Sequence, residues 1–132
     1  MSAFVDSSAL YAVLDADDAS HPTAARVWHR LLERRVPLVT TNYHIVETFA
    51  LVQRRLGLAA VRTLETDLLP VIEVRWVDEP LHRAAVAAVL TASKRDLSLV
   101  DCAAFVFMRE GGLQDAFAFD ADFEDQGFVC LS

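Results

Sequence analysis

Cysteine, lysine and long apolar runs are all scarce in this 132-residue sequence. The two cysteines, Cys102 and Cys130, belong to no CxxC or Cys/His pattern, which favours small core residues over zinc ligands or a disulfide. No apolar run approaches the roughly 20 residues of a membrane-spanning helix. The N-terminus has no basic region, and Asp6 interrupts its first apolar run, so a secretory signal is not expected. These absences predict a cytoplasmic protein with no membrane anchor.

The composition is that of a single globular domain covering residues 1–132. An apolar fraction of 54% with 23% charged residues supports a real hydrophobic core. The net charge of −7 argues against a protein that coats nucleic acid, although a metal site would itself require several acids. Lys94 is the only lysine. The other basic residues are arginines, which suit phosphate recognition. Biased genomic base composition explains the same excess of arginine over lysine and is the preferred explanation.

Short apolar segments alternate with helical patterns along the chain. Strands are predicted at Ala3–Val5, Pro37–Val39, Val71–Val77, Ala116–Phe119 and Phe128–Leu131. Helices are predicted between them, starting at Ser7 or Ser8, near Pro22, at Thr41 or Asn42, over Ala59–Leu68, at Asp78 or Glu79, and at Ser98. This alternation predicts a three-layer α/β fold with a central, mainly parallel sheet of about five short strands flanked by helices.

Four carboxylates lie in apolar segments that contain no lysine or arginine: Asp6, Glu47, Asp101 and Asp120. Asp6 and Asp120 are predicted at the carboxyl ends of strands, and Glu47 and Asp101 in the first turns of helices. Ligand sites of parallel sheets form at that edge, so the four can converge there. A divalent cation would relieve their repulsion, because such ions prefer oxygen ligands. A metal site is therefore the leading hypothesis.

Other interpretations of these residues remain open. Asp6 and Asp101 also occupy helix-capping positions, and Glu47 can pair with an arginine from a distant segment. Ser98 and Asp101 match a capping pattern, and Asp96 either lines the site or is a solvated loop acid. His44, three residues before Glu47, is interpreted as a partly exposed, hydrogen-bonded histidine in preference to a metal ligand.

Four segments together resemble the PIN-domain nucleases, and specifically the VapC-type toxins of prokaryotic toxin–antitoxin pairs. They are Phe4–Leu10, Thr40–Glu47, Asp96–Ala103 and Phe119–Phe123 before Gly127-Phe128. The resemblance assigns Asp6, Glu47, Asp101 and Asp120 to an acidic, metal-binding catalytic quartet, with Ser7 or Ser8 orienting Asp6 or contacting the reacting phosphate. The family commonly has a hydroxyl residue where this chain has Ala118. Asp122 is therefore kept as a substitute for Asp120 or a supplement to it.

The resemblance implies an endoribonuclease that uses Mg²⁺ or Mn²⁺ and cuts structured RNA such as tRNA or rRNA. It also implies a homodimer that is neutralised by a small antitoxin. Trp28 and Leu31 are equally plausible as antitoxin contacts and as core. Substrate contacts are sought first among the arginines Arg26, Arg30, Arg34 and Arg95. The alternatives are a PIN nuclease that processes RNA or cuts DNA, and a catalytically silent module that binds nucleic acid or protein.

Overall fold

A computed structural model of the chain describes residues 1–132 and contains one parallel β-sheet covered by helices on both faces. The strands are β1 (Ala3–Val5), β2 (Leu38–Thr41), β3 (Glu73–Arg75), β4 (Asp115–Phe117) and β5 (Val129–Cys130). Their order across the sheet is β3-β2-β1-β4-β5, and every neighbouring pair is parallel. The predicted three-layer α/β fold is confirmed.

Seven helices connect the strands: α1 (Ser7–Leu14), α2 (His21–Glu33), α3 (Asn42–Leu56), α4 (Leu58–Thr63), α5 (Glu79–Ala92), α6 (Leu99–Glu110) and α7 (Asp122–Asp125). α4 continues into a π-helical turn over Leu64–Leu68, so the predicted helix Ala59–Leu68 is present but changes its winding. None of these helices is both long and apolar enough to cross a bilayer.

Alternating side chains of the central strand divide the core into two halves. Ala3 and Val5 of β1 pack with α1, α2 and Val52 of α3. Phe4 points to the other face and packs with α5, α6 and Phe123 of α7. Because successive strand residues face opposite sides, β1 needs apolar residues at all three positions, and all three are fully buried.

Capping side chains start several of the helices. Thr41, Asp78 and Ser98 cap α3, α5 and α6, as the sequence predicted. α1 begins at Ser7, within the predicted start. Its cap is not Ser7 or Ser8 but Asp6, which accepts the Ser8 backbone N–H, as the capping alternative for Asp6 proposed.

Two strand boundaries also differ from the sequence prediction. β4 ends at Phe117 instead of Phe119, so Asp120 lies in the loop three residues beyond the strand. β3 pairs only over Glu73–Arg75, well within the predicted Val71–Val77. Val71 ends a 3₁₀ turn over Leu69–Val71, and the Val77 backbone N–H donates to Asn42 Oδ1 instead of to a strand. Asp6 follows β1 directly, as predicted.

Trp28 and Leu31 belong to the core. Leu31 is buried, and the Trp28 ring stacks on Phe117 at a centroid distance of 6.4 Å. Of the two cysteines, Cys102 is buried against α5, α7 and the sheet, while Cys130 is half-buried on the edge strand.

Candidate metal centre

Four acids from separate segments line one open cavity at the carboxyl ends of the strands: Asp6, Glu47, Asp101 and Asp120. Each arrives by a different element, the end of β1, α3, α6 and the loop after β4. Because the strands are parallel, Asp6, α3 and the loop after β4 all follow strands at the same edge of the sheet. α6 follows α5 instead of a strand, and its first turn brings Asp101 to the same cavity. The sequence prediction that the four acids converge is therefore correct in its geometry.

Asp6 is the only one of the four that is fully enclosed, with 4% of its surface exposed. Its Oδ2 accepts hydrogen bonds from the Ser8 backbone N–H at 3.1 Å and from the Ser8 hydroxyl at 2.5 Å. Burial raises the pKa of Asp6 to about 7, helped by the charges of Asp101 and Glu47 and opposed by the two Ser8 hydrogen bonds. A carboxylate in this position is costly to ionise unless positive charge is supplied.

Asp101 is held by a capping box at the start of α6. The Asp101 backbone N–H donates to Ser98 Oγ at 3.1 Å, and the Ser98 backbone N–H donates to the Asp101 carboxylate at 3.2 Å. Burial raises the pKa of Asp101, the hydrogen bonds from Ser98 lower it, and the charges of Asp120 and Glu47 raise it again. The capping role and the position at the cavity are compatible.

Asp122 joins Asp101 and Asp120 in a compact group. One carboxylate oxygen from each of the three lies within 4.8 Å of the others. The Asp122 backbone N–H donates to Asp120 Oδ1 at 2.9 Å, which fixes the Asp120 side chain. Burial, followed by the charges of Asp120 and Asp101, raises the pKa of Asp122. Such an oxygen-rich donor set fits a divalent cation of the Mg²⁺ type.

The acid quartet and this compact group overlap only in part. Asp6 and Glu47 face the same cavity but are not members of the close triplet, whereas Asp122 is in the triplet and not among the cavity-lining residues. Glu47 is exposed on the outer wall. The cavity lining identifies the acids that face the same cavity. The triplet identifies the carboxylate oxygens that lie closest to one another.

No lysine or arginine forms an ion pair with any of these acids, so the interpretation of Glu47 as one half of a distant salt bridge is wrong. One cation does line the cavity, Arg54 of α3, which the sequence prediction missed. Glu47, Ala50, Leu51 and Arg54 share one face of the helix. The seven-residue spacing from Glu47 to Arg54 was the signal available in the sequence.

The arginines proposed from the sequence lie elsewhere. None of Arg26, Arg30, Arg34 or Arg95 lines the acid cavity. Arg30 donates to the backbone carbonyl of Ser132, and Arg95 lies in a separate cavity beside the start of α6. These four arginines therefore do not reach the acids in this structure.

Ser7 and Ser8 both line the cavity but contact different groups. Ser8 orients Asp6, and its oxygen also accepts the backbone N–H of Phe119 at 3.0 Å. The Ser7 hydroxyl donates to the backbone carbonyl of His44 at 3.2 Å. Asp96 is exposed outside the cavity, and its charge contributes weakly to the raised pKa of Asp122.

His44 is fully buried, so its prediction as a partly exposed histidine was wrong. The helical spacing that places it near Glu47 does not show that the first turn of α3 packs into the core. Its Nδ1 lies 2.6 Å from the Thr41 hydroxyl, and its Nε2 lies 3.7 Å from Asp6 Oδ1 with no hydrogen-bond partner. Burial lowers the pKa of His44 to about 3, so the ring is neutral.

A parallel sheet with acids gathered at its carboxyl edge is the arrangement of a PIN domain, and the family model for the PIN domain matches residues 3–129. The chain belongs to the PIN-domain family. It is also similar to the 23S rRNA-specific endonuclease VapC20 of Mycobacterium tuberculosis, with 39% identity over 128 residues that cover 96% of this chain and 95% of that protein. The same values hold for VapC20 of the strains CDC 1551 and H37Rv.

The structure of the chain resembles a solved structure of the same relative. The crystal structure of M. tuberculosis VapC20, described as a sarcin–ricin loop cleaving toxin, superposes with a TM-score of 0.85 at 37% sequence identity. The match covers 97% of both chains. The family that the sequence motifs predicted is thereby confirmed.

Proposed function

We propose that this protein is a metal-dependent endoribonuclease, the toxin of a VapBC-like pair, acting as one domain over residues 1–132. The observation that carries the proposal is the cavity where Asp6, Glu47, Asp101 and Asp120 meet without a lysine or arginine paired to any of them. Similarity to a VapC endonuclease over 96% of the chain supports the same proposed function.

The cavity is proposed to hold Mg²⁺ or Mn²⁺. Asp101 and Asp120 would contribute ligands where their oxygens lie closest together, Asp6 would contribute from the centre of the sheet, and Glu47 from the outer wall. Asp122 is the alternative to Asp120 as fourth acid. When bound, a divalent cation polarises a phosphate oxygen and lowers the pKa of water at the site.

The residues of the chain prepare the site for phosphodiester hydrolysis. Ser8 and the first turn of α1 hold Asp6, and the capping box holds Asp101, which limits how far either carboxylate has to move before the reaction. Arg54, on the cavity wall, is placed to bind a phosphate of the substrate through its planar, permanently charged guanidinium. Attack by water in line with the leaving oxygen produces a 5′-phosphate and a 3′-hydroxyl.

The proposed substrate is structured RNA, with ribosomal RNA as the first candidate and tRNA as the second. The relative's name describes an enzyme specific for 23S rRNA, and its crystal structure is described as that of a toxin that cuts the sarcin–ricin loop. A small antitoxin and a homodimeric state are proposed on the same similarity. A ribosomal substrate would place the protein in the cytoplasm.

The test is cleavage of purified ribosomes, deproteinised rRNA and tRNA by the wild-type protein and by Asp6→Asn and Asp101→Asn variants. Mn²⁺-dependent cuts with 5′-phosphate ends, absent in both variants and in EDTA, are expected. Undiminished cleavage in EDTA, or ends that carry a cyclic phosphate, would reject the metal mechanism. Cleavage of DNA alone would identify a different PIN nuclease, and RNA binding without any cleavage would identify a silent binding module.

A further inference from the structure

The buried ring of His44 lies directly behind Asp6, on the side away from the cavity. The ring packs edge-on against Phe4 at a centroid distance of 4.9 Å and is not among the residues that line the cavity. Hydroxyls of Ser7 and Thr48 hold its backbone carbonyl, at 3.2 Å and 2.6 Å. The position of the ring is therefore fixed from several directions.

The hydrogen bonds of Thr41 favour one of the two neutral tautomers of the ring. Thr41 Oγ1 accepts the backbone N–H of His44 at 3.4 Å, and His44 Nδ1 is the only acceptor that the structure offers to its hydroxyl hydrogen. Donation from the hydroxyl to Nδ1 satisfies both groups, whereas the reverse direction leaves the hydroxyl hydrogen without an acceptor. Since a neutral imidazole has a single N–H, that N–H lies on Nε2 in this arrangement.

The two oxygens of Asp6 have different surroundings. Oδ2 accepts both hydrogen bonds from Ser8, while Oδ1 faces His44 Nε2 at 3.7 Å. Nε2 is enclosed by protein and has no other partner. A carboxylate displacement of about 0.8 Å would bring this pair into hydrogen-bonding distance.

We propose that His44 is a positioning residue that donates its Nε2–H to Asp6 Oδ1 and holds the carboxylate in its metal-binding orientation. The inference rests on the proposed function, in which Asp6 is a ligand. His44 is thereby neither a ligand nor a proton-transfer group, because Asp6 stands between it and the cavity. Ser8 on one oxygen and His44 on the other together fix the plane of the carboxylate, as outer partners of metal ligands do.

The first experiment determines the ring tautomer in the unmodified protein with Mg²⁺ bound, a condition in which Asp6 is ionised and cannot itself donate a proton to Nε2. Nitrogen-15 NMR of histidine-labelled protein gives one set of ring signals for each of the four histidines, and His44→Gln identifies the set to assign. The expected result is a neutral ring with the proton on Nε2. A proton on Nδ1, or a charged ring at neutral pH, would overturn the proposal.

The second experiment measures Mn²⁺ affinity by calorimetry without RNA. His44→Phe keeps the ring packing but removes the donor, and should weaken Mn²⁺ binding by about ten-fold or more. His44→Gln places an amide N–H near the position of Nε2 and should stay within about three-fold of wild type. His29→Phe, on the exposed face of α2, is the matched control and should bind like wild type.

The kinetics distinguish positioning from a general loss of structure. His44→Phe should lower kcat while leaving KM for RNA unchanged, with His44→Gln restoring most of the loss. Wild-type Mn²⁺ affinity in His44→Phe, or equal losses in both variants, would overturn the inference. If His44→Phe does not fold, the ring tautomer measured by NMR still tests whether Nε2 can donate to Asp6. Absence of Mn²⁺ binding by the wild-type protein would instead reject the proposed function.

Discussion

The hydroxyl of Ser8 lies 2.5 Å from Oδ2 of Asp6 and is its closest hydrogen-bond donor. The same oxygen of Ser8 accepts the backbone N–H of Phe119 at 3.0 Å. One small side chain thus ties the acid at the end of β1 to the loop that carries Asp120. The relative placement of two acids from opposite ends of the chain depends on this serine.

Ser8→Ala should therefore impair the site more than it impairs the fold. Loss of the hydroxyl leaves Asp6 Oδ2 with only the Ser8 backbone N–H and leaves the Phe119 N–H without its partner, so we expect kcat/KM for RNA to fall about ten- to a hundred-fold. The measurement is cleavage at saturating Mn²⁺, with Ser20→Ala as control because Ser20 makes no side-chain cap bond. Activity equal to that of the control would show that Ser8 does not orient Asp6.

The raised pKa of Asp6 predicts how the metal-free protein responds to pH. The folded pKa is about 7 against an ordinary value of 3.8, so the folded state holds a proton that the unfolded state releases in this range. The free energy of unfolding should then decrease as pH rises from about 4 to about 7, by on the order of 4 kcal/mol in total for this group.

Asp6→Asn tests this prediction without removing the helix cap, since asparagine caps helices as well as aspartate does. In EDTA, the variant should be more stable than wild type at pH 7.5 and nearly equal to it at pH 4.5. Urea unfolding across this pH range gives both values, with the exposed loop variant Asp17→Asn as control. A wild-type protein whose stability does not fall with pH would contradict the enclosure of Asp6.

Divalent cations should stabilise the wild-type protein through the same acids. At a Mn²⁺ concentration of about 100 times Kd, the expected gain is about 2.7 kcal/mol. Asp101→Asn and Asp120→Asn should lose most of it, and Asp122→Asn should lose less, because Asp122 does not line the cavity. Thermal unfolding with and without Mn²⁺ provides the measurement. A larger loss in Asp122→Asn than in Asp120→Asn would identify Asp122 as the fourth acid.

Arg54→Ala should weaken RNA binding rather than metal binding. In an Asp101→Asn background, which prevents cleavage, we expect RNA affinity to fall and the salt dependence of binding to decrease by about one phosphate contact. Arg62→Ala, an exposed arginine of the next helix that lines no cavity with the acids, is the matched control. Equal effects of the two variants would remove Arg54 from the substrate site.

The sequence predicted the elements that depend on local chemistry. Ser98 with Asp101 three residues later specified the start of α6, and an apolar segment ending in Asp6 specified β1. The end of β4 was missed, because Ala118 remains buried beyond the last strand residue and the apolar pattern continues with it.

The burial of individual side chains and the contacts between distant segments could not be predicted from local patterns. His44 is buried because Phe4 and Asp6 of another segment cover it, and nothing within α3 reports that contact. The Ser8 bond to Phe119 joins residues 111 positions apart. Such relationships are set by the packing of the whole sheet, so they become visible only once its strand order is known.

Because all five strands run in one direction, the loops that lead from helices back into strands lie on the edge opposite the acids. The turn at Arg35, with its positive φ of 51°, and the turn at Gly111-Gly112 are both on that remote edge. An affinity tag or fluorescent label inserted at residues 111–112 would therefore report on the protein while leaving its chemistry intact. The acids at one edge of the sheet require a fixed geometry, whereas the loops at the opposite edge can be lengthened without changing it.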